Sequence, residues 1–285
     1  MSLSVGRSVV ALLLTVGLVA AMAGVASAAP SYGVNDWSCR PADDTGARPV
    51  VLVHGLGAND RTNFATLAPA LAAAGHCVFS ETYGTGAYGP TVGGLAPMQD
   101  SAAQLGRFVE RVRAATGAEK VDIVGHSEGS TVPAYYLKFL GGAAVVDTVV
   151  GFGSNYRGTT LAGLARLAAQ LRLGGALAAG GCPACAQYLP GSDFLDQLNE
   201  GGGVVVDGPR YVSIVTRFDE VVTPYTSGLL DDPRATDIIL QDRCPADVSG
   251  HLALAVDPNV AALVRQALDP QGASPLRCVP FPVPA

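Results

Sequence analysis

Charge is scarce in this sequence: 15% of its 285 residues are charged and 49% are hydrophobic. That balance suits a soluble chain that buries a core in one domain, at most two. No segment of 20–50 residues repeats, which excludes solenoids and propellers. No basic patch occurs and the formal net charge is −6, so no nucleic-acid partner is expected. An anionic membrane surface exerts no electrostatic pull on such a chain either. After residue 28 no apolar run reaches the roughly 18–20 residues that a bilayer span requires. Histidine is rare as well, with four in the chain, and that scarcity narrows the choice of a catalytic base.

What is present begins with a leader. MSLSVGRSVVALLLTVGLVAAMAGVASAAP has one early cation, Arg7, then a long apolar run and the small-residue site Ala26-Ser27-Ala28. This is the pattern of a secretory signal peptide, so export with cleavage after Ala28 is expected. Gly17 and Gly24 interrupt the run and no stop-transfer patch follows, which argues against an uncleaved anchor. Residues 29–285 then form a single domain, its net charge −7 once Arg7 is removed. All six cysteines lie beyond the leader, an even count for an oxidising compartment. Six cysteines allow 15 pairings. Cys182-Pro-Ala-Cys185 could close on itself, leaving Cys39 to meet Cys77 and Cys244 to meet Cys278. A redox pair is expected just after a first strand, whereas this motif sits mid-chain in a Gly/Ala-rich segment, so a structural staple is the better reading.

Short β-branched runs alternate with helical patterns. Strands are expected at Val50–Val53, Cys77–Phe79, Val121–Val124, Val145–Val150, Tyr211–Thr216 and Ile238–Leu240. Helices are expected near Phe64–Ala74, over Pro97–Thr116, from Ser130 to Leu140 and over Pro258–Leu268. In the second of these, Leu105, Phe108, Val109 and Val112 share one face. Pro133 falls near the start of the third, where its missing N–H is best tolerated. The pattern predicts an α/β fold with a mostly parallel sheet covered by helices on both faces. An apolar excursion, residues 158–208, separates the fourth and fifth strands and reads equally as a lid or as plain packing helices.

The chemistry centres on VDIVGHSEGS. A G-x-S-x-G motif between a strand and a helix is the signature of a nucleophile elbow, whose turn is too tight for side chains at the flanking glycines. Ser127 is therefore the candidate nucleophile. A serine hydroxyl needs a base. His54 ends the first strand, His76 begins the second, and His126 adjoins Ser127 and is expected to point to the other side of the turn. His251, far downstream in SGHLALAVDP, remains as general acid/base. The acid that orients it should lie between them in the chain. Asp219, just past a strand end, fits best; Glu220 is its nearest rival, and Asp231, Asp232, Asp237, Asp242 and Asp247 read mostly as solvated loop residues. The oxyanion hole is expected from the backbone amides of Leu56, in VLVHGLG, and Glu128.

Glu128 raises a difficulty. A carboxylate near a forming oxyanion opposes it, by about 1 kcal/mol at 4 Å in water and more when buried. Its side chain must point to solvent, pair with a cation such as Arg61 or Arg157, or carry a proton. Glu128 is expected to tune the pH optimum, so that Glu128→Gln would raise activity at acidic to neutral pH, whereas unchanged kinetics would mark a solvated bystander.

With PVVLVHGLGAN, DIVGHSEGSTVPAYYLKFLGG, CPACAQYLPGSDFLDQLN, RFDEVVTPYTS and LQDRCPADVSGHLALAVDP in order, the chain resembles the secreted actinobacterial lipase/esterase family of the α/β-hydrolase superfamily, related to small Bacillus-type lipases. The resemblance implies Ser127, Asp219 and His251 as a triad and the amides of Leu56 and Glu128 as the oxyanion hole. It also implies the disulfides Cys39–Cys77, Cys182–Cys185 and Cys244–Cys278. Residue 128 departs from it, since related enzymes more often carry Gln or Met there. The expected activity is hydrolysis of lipid or other fatty-acyl esters, with no cofactor, no metal and no protein partner. A structural Ca²⁺ near Asp242 and Asp247 is outweighed by solvated loop aspartates. Two rivals remain: an exported acyltransferase using an alcohol acceptor, and a non-catalytic binding protein on the same fold, which would lack part of the machinery.

Overall fold

The computed structural model describes residues 33–41, 48–163 and 170–281. The expected leader, residues 1–28, and the middle of the apolar excursion, residues 164–169, lie outside them. Each β-branched run forms a strand: β1 Val50–Val53, β2 Val78–Ser80, β3 Val121–His126, β4 Val146–Phe152, β5 Arg210–Val215 and β6 Ala235–Ile239. They pair in parallel in the order β2-β1-β3-β4-β5-β6. The described α-helices are α1 Leu67–Ala73, α2 Met98–Thr116, α3 Glu128–Phe139, α4 Gly174–Ala179, α5 Pro183–Gln187, α6 Asp193–Asn199, α7 Leu240–Arg243 and α8 Pro258–Leu268.

Alternation along the strands divides the core into two layers. Val51, Val53, Phe79, Ile123 and Val149 face one side, where Leu105, Phe108, Val109 and Val112 of α2 cover them. Val50, Leu52, Val78, Val124 and Val150 face the other, under Leu71 of α1 and Val260, Leu263 and Val264 of α8. Burying each such side chain contributes roughly 1.5–3 kcal/mol, so strands covered on both faces can be apolar throughout. The helix ends have local causes. Gly117, at φ 77°, stops α2, and the Asp257 carboxylate accepts the amides of Asn259 and Val260 to start α8 at Pro258.

The apolar excursion has two characters. Ala184, Phe194, Leu195 and Leu198, from α5 and α6, join the first core layer and are packing residues. Helix α4 buries none of its residues, and Leu171 and Leu173 before it are exposed. Lys138 of α3 fastens the chain after α6, its Nζ donating to the carbonyls of Leu198 (2.8 Å), Glu200 (2.6 Å) and Gly203 (2.8 Å). Lys120 sits at the opposite, N-terminal end of β3, 3.8 Å from Asp147. Cys39 and Cys77, Cys182 and Cys185, and Cys244 and Cys278 stand at disulfide distance. The third pair ties the end of α7 to the C-terminal tail.

Candidate active site

Because all six strands run the same way, their C-terminal ends share one edge, and the loops leaving it converge. Strand β3 leaves it through Ser127, whose backbone is at φ 55°, ψ −120°, a strained geometry for any residue with a Cβ. The flanking glycines are required by contact. A Cβ on Gly125 would overlap the Gly129 carbonyl, and one on Gly129 would overlap the Val53 carbonyl. The Ser127 amide donates to the Phe152 carbonyl of β4 (2.9 Å), which fixes the turn to the sheet.

Past β5, Asp219 is held in a turn. Its Oδ1 accepts the amides of Val221 (3.0 Å) and Val222 (2.6 Å), leaving Oδ2 to accept from His251 Nδ1 at 2.9 Å. His251 Nε2 lies 2.9 Å from Ser127 Oγ. The three side chains expected to act together are thus joined in a line, and Ser127 and His251 are each less than a tenth exposed. With a carboxylate at Nδ1, the neutral imidazole carries its proton there and presents a lone pair to the serine hydroxyl. The rival acid, Glu220, touches His251 at a different atom, its Oε2 accepting the His251 backbone amide at 2.8 Å. Gly250 makes room for that carboxylate, since a Cβ there would overlap Oε2. Gly250→Ala is expected to push the Glu220 carboxylate off the His251 amide, loosen that loop and lower kcat about 10–100-fold with little change in folding, measured by ester hydrolysis beside circular dichroism.

The remaining aspartates are engaged elsewhere. Asp231 pairs with Arg157 (3.2 Å), Asp232 with Arg234 (2.6 Å), and Asp242 with Arg217 (2.7 Å), while Asp237 accepts the amides of Leu230 and Asp231. Asp247 corrects its solvated reading: it is fully buried, accepting from the Ser249 amide and the Asn259 side chain. Among the described residues no group of three or more His, Cys, Asp or Glu side chains converges as metal ligands would.

His126 is a correction too. The expectation put it across the turn, but β3 continues through it, and the returning His251 loop covers that side. Its ring stacks on Phe152 (centroids 5.0 Å) and stands 5.1 Å from the His251 ring, with Nε2 3.2 Å from the His251 carbonyl oxygen. Burial, reinforced by His251, lowers its pKa to about 3, so it stays neutral as a packing partner of the His251 ring. Burial likewise lowers His54 to about 4. Its Nδ1–H donates to the Gly55 carbonyl (2.8 Å), while Nε2 accepts the Tyr83 amide (3.2 Å). His76 lies at the far end of the sheet.

The Leu56 and Glu128 amides make no bond to a protein acceptor among the described residues. The loop carrying Leu56 is braced on both sides, the Gly57 amide donating to the Gly93 carbonyl and the Gly93 amide to the Ala58 carbonyl, each at 2.8 Å. The Asn63 side chain steadies its start, Oδ1 accepting the Gly55 amide at 3.0 Å. Exposed apolar side chains stand in chain next to this machinery: Leu56 itself, Phe218 beside Asp219, and Leu252 beside His251, the last 71% exposed. Sequence reasoning named none of Asn63, Tyr83, Thr216 or Gln241 as site residues. Gln241 links the two late loops by donating to Thr216 Oγ1 (2.9 Å) and the Asp247 carbonyl (3.2 Å). Partners so distant in sequence leave no spacing signal.

Residues 47–260 match the model of the family described as lipase (class 2). Lipase BlEst2 of Bacillus licheniformis, in its mature form, superposes with a TM-score of 0.60 at 16% identity, over 81% of this chain and 95% of that one. Lipase B of Aspergillus fumigatus gives 0.59 at 21% identity over 84% of this chain, which spans 57% of the Aspergillus protein. Esterase RhEst1 of Rhodococcus sp. ECU1013 gives 0.51 at 17% identity, over 80% and 92% of the two chains. At these identities the likeness establishes a shared fold, the α/β-hydrolase fold.

Proposed function

The chain belongs to the class 2 lipase family, and with it to the carboxylic-ester hydrolases; from that premise we propose that it hydrolyses lipid or other fatty-acyl esters through an acyl-enzyme on Ser127. The carrying observation is the unbroken line Asp219–His251–Ser127, with 2.9 Å at each junction. In the first half-reaction His251 Nε2 takes the hydroxyl proton as Ser127 Oγ attacks the ester carbonyl. The imidazolium so formed is stabilised by Asp219. The carbonyl oxygen becomes an oxyanion facing the free amides of Leu56 and Glu128, and it collapses as His251 returns the proton to the leaving alcohol. Water, deprotonated by the same nitrogen, then attacks the acyl-serine and releases the acid.

Apolar side chains beside the nucleophile, acid and base suit an acyl substrate. Export is part of the proposal. It is supported by the signal-peptide pattern before Ala28 and by three cysteine pairs at disulfide distance, an arrangement of oxidising compartments. The first test is covalent. A p-nitrophenyl phosphonate should release one nitrophenolate per chain and leave its phosphonyl group on the peptide carrying Ser127, seen by mass spectrometry. Turnover of p-nitrophenyl esters from acetate to palmitate then gives the chain-length preference. A chain that neither labels nor turns over any ester would sink the reading.

A further inference from the structure

The Tyr83 hydroxyl stands between two oxygens. It is 2.8 Å from the His54 carbonyl oxygen and 3.2 Å from Glu128 Oε1, and a phenol has one proton to give. A carbonyl oxygen can only accept, and a carboxylate can only accept, so an ionised Glu128 would leave one of the two contacts without a proton; the shorter contact, to His54, takes it. The second contact is then a hydrogen bond only if Glu128 donates, which requires a protonated carboxyl. The surroundings agree. Glu128 is fully buried, and its Oε2 has no partner among the described residues. Neither expected cation reaches it, Arg61 being exposed and Arg157 paired with Asp231. A lone buried carboxylate there is far costlier than a neutral acid.

We infer that Glu128 is held as an uncharged carboxylic acid and serves as a positioning residue, spacing the two walls of the oxyanion hole through Tyr83. The effect on rate rests on the hydrolase reading above; the protonation state does not. Glu128 begins α3, and its amide is one proposed donor. The His54 carbonyl immediately precedes Gly55-Leu56, which supplies the other. The chain Glu128 to Tyr83 to His54 therefore crosses from one wall to the other. Gly94, at φ +70°, closes the gap, since a Cβ there would stand 3.0 Å from both Glu128 Oε1 and Leu56 Cα. The titratable groups facing Glu128 are the buried phenols Tyr83 and Tyr188, and burial raises all three pKa values. The result also revises the sequence expectation: glutamine copies the neutral acid, so Glu128→Gln should preserve the link rather than raise activity at neutral pH.

Two measurements test this. The first counts protons. An acid whose folded pKa lies well above its ordinary 4.5 binds a proton in the folded state that the unfolded chain has released, so its presence makes stability fall as pH rises past 4.5. Urea unfolding of wild type and Glu128→Gln should diverge by up to about tenfold in folding equilibrium constant per pH unit as pH rises past ~5, the wild type losing stability relative to the Gln variant. Parallel pH slopes would overturn the neutral acid, whether or not the protein hydrolyses anything. The second reads kcat. Glu128→Leu, which cannot donate to Tyr83, should lose about 10–100-fold in kcat with KM little moved, and Glu128→Gln should recover most of that loss. Should the Leu variant not fold, Tyr83→Phe cuts the same link from its other end and should show the same kcat loss. Equal kcat for the broken and conservative variants would overturn the positioning role. A wild type that turns over no ester removes the function proposed above and leaves the proton count to decide the acid.

Discussion

Replacing Ser127 by alanine should lower kcat for p-nitrophenyl esters by about five to six orders of magnitude, with KM and the fold nearly unchanged. The size of the effect follows from how the site is joined. In the mechanism proposed above Asp219 and His251 act on the ester only through the serine oxygen, so with Oγ gone the rest of the relay has nothing to activate. What survives is binding and the two free amides, which stabilise attack by water only weakly. The fold survives because the alanine Cβ takes the place of the serine Cβ at φ 55° and the anchoring amide bond to Phe152 is made by the backbone. Progress curves beside a thermal melt check both parts. A variant retaining more than about a hundredth of the wild-type rate would move the nucleophile elsewhere.

Asp219→Asn should cost about 10⁴-fold in kcat although it changes one atom. The reason lies in what each carboxylate oxygen meets. Oδ1 faces two backbone donors, the amides of Val221 and Val222, and Oδ2 faces His251 Nδ1. An asparagine keeps its oxygen toward the two amides, because turning the NH₂ there would oppose three donors with no acceptor. The NH₂ then faces Nδ1 and donates to it. The imidazole must move its proton to Nε2, where it points at Ser127 and the base is lost. Esterase assays beside an imidazole-proton NMR spectrum would show the exchange of tautomers. Activity within about tenfold of wild type would mean that another group orients His251.

How far the sequence reached depends on how local each cause is. The strands β1, β3 and β4 were legible because burial on both faces demands a continuous apolar run. Helix α8 was legible to the residue because Asp257-Pro258 is a start signal in itself. Strand β6 begins three residues before the expected Ile238, at Ala235, because a sheet-edge strand needs no such run. Helix α1 begins at Leu67 rather than Phe64 because the Asn59 side chain accepts the amides of Arg61 and Thr62 and holds the preceding segment in turns. In the site, Ser127 was carried by its motif and His251 by elimination. Asp219 and Glu220 are neighbours whose targets, a ring nitrogen and a backbone amide, separate only in three dimensions. Glu128 stayed ambiguous because the phenol that explains it lies 45 residues upstream.

The two lysines carry a practical consequence. The chain has no others, and Lys138 is occupied by three carbonyl oxygens. Apart from the amino terminus, Lys120 is therefore the less encumbered amine of the two, its side chain 39% exposed. It stands where β3 begins, at the edge of the sheet opposite the one where Ser127 emerges. Amine-directed coupling through Lys120 would thus tether the protein by its back, with the sheet edge that carries Ser127 turned toward the liquid.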